Sequence, residues 1–124
     1  MSEYGKRVII EIMKVLVDFE VSTIKVSGCN SFIIENGAKV IFENKENFEQ
    51  VNERLAEYAD CLVIIEGGKR SGTLLLAQKF VEKNKRVLVV PGRIVDEGSF
   101  APNWLAMQGA EMILDVNDLT EVLQ

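Results

Sequence analysis

The sequence predicts an α/β domain, a three-layer Rossmann-like arrangement around a mainly parallel sheet. Three observations predict it. Leu62 to Ile65 and Arg86 to Val90 are apolar runs without polar alternation, the mark of strands buried on both faces. Helix-periodic segments separate such runs, so strands alternate with helices. Glycines stand where the strands stop, at Gly67-Gly68 and at Gly92. Together these imply right-handed crossovers and a sheet covered on both faces. The 124 residues fit one domain, 1–124, with a core of its own.

In chain order, Tyr4 to Phe19 places Val8, Ile9, Ile12, Met13, Val15, Leu16 and Phe19 at helical spacing, with Ser2 as N-cap. Val21 to Val26 is β-branched and reads as one strand closed by Ser27-Gly28. Cys29 to Asn36 fits a short helix or a strand edge. Asn36-Gly37 marks a turn, and Ala38 to Phe42 reads as a strand. Asn44 or Asn47 caps a helix reaching Tyr58, with Phe48, Val51, Leu55 and Tyr58 on one face. The central strand follows, then a helix from Thr73 to Lys83 ended by Asn84, then the second apolar strand, stopped by Pro91-Gly92. After a loop, Pro102 fits the first turn of a helix running through Trp104 and Met107 to Gly109. Met112 to Leu114 is a short strand, and Asp115 or Asn117 caps a last helix to Leu123.

Composition narrows the chemistry. There is no histidine, which removes histidine triads, histidine acid–base work and most zinc sites. No apolar run approaches the roughly 20 residues of a membrane helix. Two cysteines, Cys29 and Cys61, are too few for a disulfide framework and read as apolar fillers in a reducing cytoplasm. The net charge of −5 counts against a general electrostatic grip on nucleic acid but not against a local basic groove.

The candidate site is Gly67-Gly68-Lys69-Arg70-Ser71-Gly72. A buried strand that ends in glycines and feeds a helix is how open α/β sheets bind anions. The first helical turn carries unpaired N–H groups, and two cations sit beside it. Its dipole contributes only about 0.3–1 kcal/mol, so Lys69 and Arg70 would carry most of the attraction. The same residues would equally form a strand–helix turn with solvated cations. Arg93 follows the neighbouring strand's Pro-Gly stop and falls beside that loop. Asn103 fits a cap or a site residue, Trp104 a core position, and Lys83 to Arg86 a solvated turn at the opposite edge.

From Ala59 onward the pattern resembles the DprA/Smf family of DNA-processing proteins. The residues carrying it are Ala59 to Glu66 (ADCLVIIE), Arg70 to Ala77 (RSGTLLLA), Arg86 to Gly92 (RVLVVPG), Asn103-Trp104-Leu105 and Gly109-Ala110-Glu111. Ser2 to Arg7 also looks like the family's first helix. The chain differs at Cys29-Asn30-Ser31, where the family has an arginine-bearing loop, and at Val51-Asn52-Glu53, where it has Arg-Asn-Arg. It therefore looks like a shortened, divergent member. The resemblance implies a cytoplasmic protein that binds single-stranded DNA through its phosphates in transformation, competence and recombination. It further implies a RecA-type recombinase as partner, a homodimer, and no metal, cofactor or covalent chemistry. Lys69 and Arg70 would then hold phosphates, Gly67, Gly68, Ser71 and Gly72 would supply backbone donors, and Arg93 and Asn103 would flank them. Two other readings stay open. One is a small-nucleotide-binding domain or a hydrolase like the LOG-type enzymes, whose Pro-Gly-Gly-x-Gly-Thr loop is loosely similar. Their helix carries a catalytic acid where this chain has Leu74-Leu75-Leu76. The other is a non-catalytic remnant that binds a partner protein.

Overall fold

The computed structural model describes residues 7–11, 19–21, 24–26, 31–35, 38–40, 48–69 and 72–123. The strands are β1 (Arg7–Glu11), β2 (Phe19–Val21), β3 (Ile24–Val26), β4 (Ser31–Glu35), β5 (Ala38–Val40), β6 (Cys61–Ile64), β7 (Arg86–Val89) and β8 (Glu111–Met112). The helices are α1 (Phe48–Tyr58), α2 (Thr73–Glu82), α3 (Phe100–Met107) and α4 (Val116–Leu123), with a 3₁₀ turn at Glu97–Ser99. Six strands form one sheet in the order β5-β4-β1-β6-β7-β8, and β2 pairs with β3 apart from it. Strands β1, β6, β7 and β8 are parallel, while β4 and β5 extend the sheet antiparallel. The fold is thus α/β with a mixed, mostly parallel sheet.

Alternation along the central strands sorts the core into two faces. Cys61 and Val63 of β6 join Val8, Ile10, Leu88 and, from α4, Leu119 and Val122. Leu62 and Ile64 face the other way and join Leu55, Leu76, Phe80 and Leu105 from α1, α2 and α3. The chain steps in one direction from β1 through β6 and β7 to β8, and crossovers of one hand put their helices on one face. Phe80 is fully buried there, so truncating it to alanine would cost about 3–5 kcal/mol. Cys61 is buried too, and burial, with the Asp60 charge behind it, pushes its thiol up to about 12.

The expected helix from Tyr4 to Phe19 is corrected at Arg7–Glu11, which is a strand; residues 12–18 lie outside the described residues. Val8-Ile9-Ile10 is β-branched throughout, which stiffens a helix and suits a pleated sheet. Its register sets Val8 beside Cys61 and Ile10 beside Val63, with Val8 and Ile10 buried. The backbone of Arg7 locks this register: its N–H donates to Asp60 Oδ2 at 2.9 Å, and its carbonyl accepts from the Asp60 N–H at 2.8 Å. The resemblance of Ser2 to Arg7 to a first helix fails at Arg7, and the remainder lies outside the described residues. The single strand expected over Val21 to Val26 is instead split between two antiparallel strands, with Val21 opposite Ile24; residues 22–23 lie outside the described residues. The ambiguous Cys29 to Asn36 segment contains strand β4.

Both caps in the second half follow local chemistry. Asn84 adopts a left-handed φ of 57°, and the Lys85 N–H returns to the Phe80 carbonyl at 2.9 Å, closing α2. Asp115, not Asn117, caps α4: its Oδ1 accepts the Asp118 N–H at 2.8 Å.

Candidate anion-binding site at the carboxyl edge

Strands β6 and β7 end side by side, and the loops after them are stitched together. The Gly67 N–H donates to the Gly98 carbonyl at 2.7 Å, and the Ala101 N–H donates to the Gly67 carbonyl at 2.8 Å. The first turn of α3 therefore leans directly on the β6–α2 turn. The seam is tight at Gly67: a Cβ there would lie 3.0 Å from the Cβ atoms of both Ala101 and Thr73, so any larger residue requires those neighbours to give way. A second clamp holds the β7 loop. Asn103 Oδ1 accepts the Gly92 N–H at 3.0 Å, and its Nδ2 donates to the Gly92 carbonyl at 2.9 Å.

Each expected site residue has a definite place. Gly67 is corrected as an outward donor, because its amide is spent on Gly98; its part is to permit the close approach. Gly68 is buried next to it. Gly72 is the N-cap of α2, with its carbonyl accepting the Leu76 N–H at 3.0 Å. Arg70 and Ser71 lie outside the described residues. Lys69 is exposed, and its ammonium stands 5.7 Å from the centroid of the Phe100 ring. Arg93 is exposed on the loop after β7, where its carbonyl accepts the Asp96 N–H at 3.0 Å. Asn103 is both a clamp and a wall of the cleft described next.

Beyond the seam opens a cleft of about 340 Å³, lined by Lys69, Asp96, Glu97, Phe100, Asn103 and Trp104 among others. Trp104, expected in the core, is 43% exposed and forms part of this wall. Helix α3 carries two stripes: Ala101, Pro102 and Leu105 face inward and are buried, while Phe100, Asn103, Trp104 and Met107 line the cleft. The second stripe is visible at i, i+3, i+4, i+7 in the sequence, but so is the first, and spacing does not say which is buried. The loop carboxylates Asp96 and Glu97 were missed as site residues; they share the cleft with Lys69.

The basic cluster at the opposite edge is corrected from a solvated turn to a set of structural contacts. Lys85 Nζ donates to the carbonyls of Ala56, Glu57 and Ala59 at 2.6, 2.9 and 2.8 Å, closing the end of α1. Lys83 Nζ lies 2.7 Å from Glu53 Oε1, and Lys79 also pairs with Glu53 at 3.4 Å. Hydrogen bonds from Lys83 and Lys79 hold the Glu53 carboxyl below the ordinary carboxylate range, and the same Glu53 contact raises Lys83. Arg86 forks onto both oxygens of Glu111. At the start of β1, Arg7 Nε donates to Glu35 Oε1 at 3.0 Å while Tyr58 donates its hydroxyl to Glu35 Oε2 at 2.7 Å. Those bonds, Tyr58 first, lower Glu35. No group of three or more potential metal ligands exists among the described residues, and none of their helices is long and apolar enough to cross a membrane.

Comparison with known proteins adds independent information. Residues 42–124 match the model of the family described as DNA recombination-mediator protein A. Over 78 residues the chain is 32% identical to Protein Smf of Escherichia coli (strain K12), covering 63% of this chain and 21% of that protein. Over 79 residues it is 29% identical to the DNA processing protein DprA of Bacillus subtilis (strain 168), covering 64% of this chain and 27% of that one. A crystal structure of DNA processing protein A (DprA) from Streptococcus pneumoniae superposes with a TM-score of 0.55 at 25% identity, over 62% of this chain and 28% of that one. The matched region is thus between a fifth and a third of each relative's length.

Proposed function

Because the chain belongs to the DNA recombination-mediator protein A family, we propose that it is a DNA-processing protein that binds single-stranded DNA by its phosphates at the carboxyl edge of a Rossmann-like sheet. The observation that carries this reading is the exposed Lys69 on the turn between β6 and α2, beside an open cleft. Lys69 and Arg70 hold phosphate oxygens, Gly68, Ser71 and Gly72 bring the backbone close, and Arg93 extends the basic rim. Asn103 acts by fixing the Gly92 loop. Passing the bound strand to a RecA-type recombinase, and self-association as a homodimer, belong to the same reading. No chemical step is needed: binding positions the strand.

Titration of a labelled single-stranded oligonucleotide, with duplex as control, tests it. Roughly three phosphate contacts give a log–log salt slope near −2 for a single strand. Replacing Lys69 and Arg70 together by glutamate abolishes binding and leaves the melting curve unchanged. A salt-insensitive isotherm, or unchanged affinity in that double variant, defeats the reading. A second reading, a free nucleotide as ligand, is favoured by the cleft volume, which lies within the usual range for small-molecule sites. Nucleoside monophosphates that bind where oligonucleotides do not would select it.

A further inference from the structure

Helix α1 ends in a set of freed carbonyls. In a longer helix the amides of residues 60 and 61 would serve the carbonyls of Ala56 and Glu57. Here the Asp60 N–H donates to the Arg7 carbonyl at 2.8 Å, and Cys61 opens β6. The two released carbonyls, joined by that of Ala59, converge on a single point. Lys85 Nζ stands there, at 2.6, 2.9 and 2.8 Å from the oxygens of Ala56, Glu57 and Ala59. An ammonium has three donors and no acceptor, so one ammonium and three carbonyls satisfy each other. The main chain fixes the root of this side chain: Asn84 turns at a φ of 57°, and the Lys85 N–H is tied to the Phe80 carbonyl at 2.9 Å. The α1 carboxylates Glu53 and Glu57 reach Lys83, at 2.7 and 4.0 Å. The charge of Lys85 is met by carbonyl dipoles and by the negative end of α1.

We propose that this carbonyl cage is a monovalent-cation site with Lys85 as its built-in occupant, and that it takes potassium or ammonium once that side chain is removed. Neutral backbone carbonyls are the groups that replace the hydration shell of a potassium ion. Divalent ions suit the cage less well. Magnesium demands octahedral coordination at about 2.0–2.1 Å, and calcium takes six to eight oxygens at about 2.3–2.6 Å, usually with carboxylates among them. The oxygens here stand 2.6 to 2.9 Å from the nitrogen and carry no formal charge. The Glu57 side of the cage is exposed, so water completes the shell of a free ion. In the native chain the tether makes occupancy intramolecular, and dissolved ions do not compete with it.

Lys85→Ala empties the cage, whereas Lys85→Met leaves an apolar stem in it. Melting and urea unfolding of the full chain are followed in potassium, ammonium, lithium and choline chlorides at equal ionic strength. At about 0.5 M, potassium or ammonium should raise the folding constant of Lys85→Ala about tenfold over choline, a gain of about 4 °C in Tm. Lithium, which holds its water more tightly, should give little of this gain. The wild-type chain and Lys85→Met, in the same salts, should show none of it. Should Lys85→Ala be unfolded in choline chloride, recovery of its far-ultraviolet circular dichroism in potassium chloride is the same result in another form. Equal midpoints for Lys85→Ala in potassium and in choline overturn the proposal, as does a chain that stays unfolded in every salt. A potassium response of the same size in the wild type also overturns it, because that places the ion elsewhere.

Discussion

At the amino-terminal edge of the sheet, Lys83, Lys85 and Arg86 are each bound by named partners: Glu53, the end of α1, and Glu111. At the carboxyl edge, Lys69 and Arg93 are exposed, and neither makes an ion pair among the described residues. The two edges carry similar residue types and use them differently. Where a cation answers a helix end or a carboxylate of the fold, its charge is consumed in holding elements together. Where it projects from a glycine turn beside a cleft, its charge is paired with no carboxylate among the described residues. Local density of lysine and arginine therefore does not separate the two edges, and partner geometry does.

The sharpest way to break this contrast is Lys85→Met. It removes three charge-assisted bonds to the end of α1, and the expected loss is about 3 kcal/mol of stability in urea unfolding. Single-strand affinity at a temperature where the variant is folded should stay within twofold. A fall in affinity as large as that of the Lys69 and Arg70 double variant would show that the edges are not separate. Asn103→Ala comes next. It removes both bonds to Gly92 and should cost about 1–2 kcal/mol, but, unlike Lys85→Met, it should also weaken binding, because the clamp shapes the cleft. Normal affinity would reduce Asn103 to a purely structural residue.

The smallest effect is on pH. Glu53 and Glu35 both have lowered values in the folded state. A carboxyl whose folded value is depressed contributes stability that is present above its unfolded value and is lost as pH falls through the folded one. Melting temperature should thus decline on acidification below the ordinary glutamate range. Glu53→Gln should flatten that decline by removing one of the two contributions. An unchanged acid limb would mean that the Lys83 and Lys79 contacts are not kept in solution.

The legible part of the fold is the part with short-range causes. The apolar runs of β6 and β7 and the Asp115 cap are each readable from neighbours in sequence. So are the Asn84 stop of α2 and Pro102 in the first turn of α3. Arg7–Glu11 was not, because Val8, Ile9 and Ile12 fit helical spacing as well as a strand. The choice is made by β6, some 53 residues away, through the Arg7–Asp60 exchange. Trp104 was misread for a related reason. Both stripes of α3 are apolar, and only contact with β7 and the β6–α2 turn decides which one is covered.

By itself the sequence determined the alternation of strands and helices after Phe48, the glycine turns, and the family. Those depend on residue type and spacing, which a linear chain displays in full. The tertiary structure alone decided that β1 joins the central sheet and that Gly67 turns its amide inward. It also decided which cations are bound by partners within the fold and that Trp104, Asp96 and Glu97 line a cleft beside Lys69. Each of these depends on which distant residue arrives as a neighbour, and pairing across space leaves no mark in local composition.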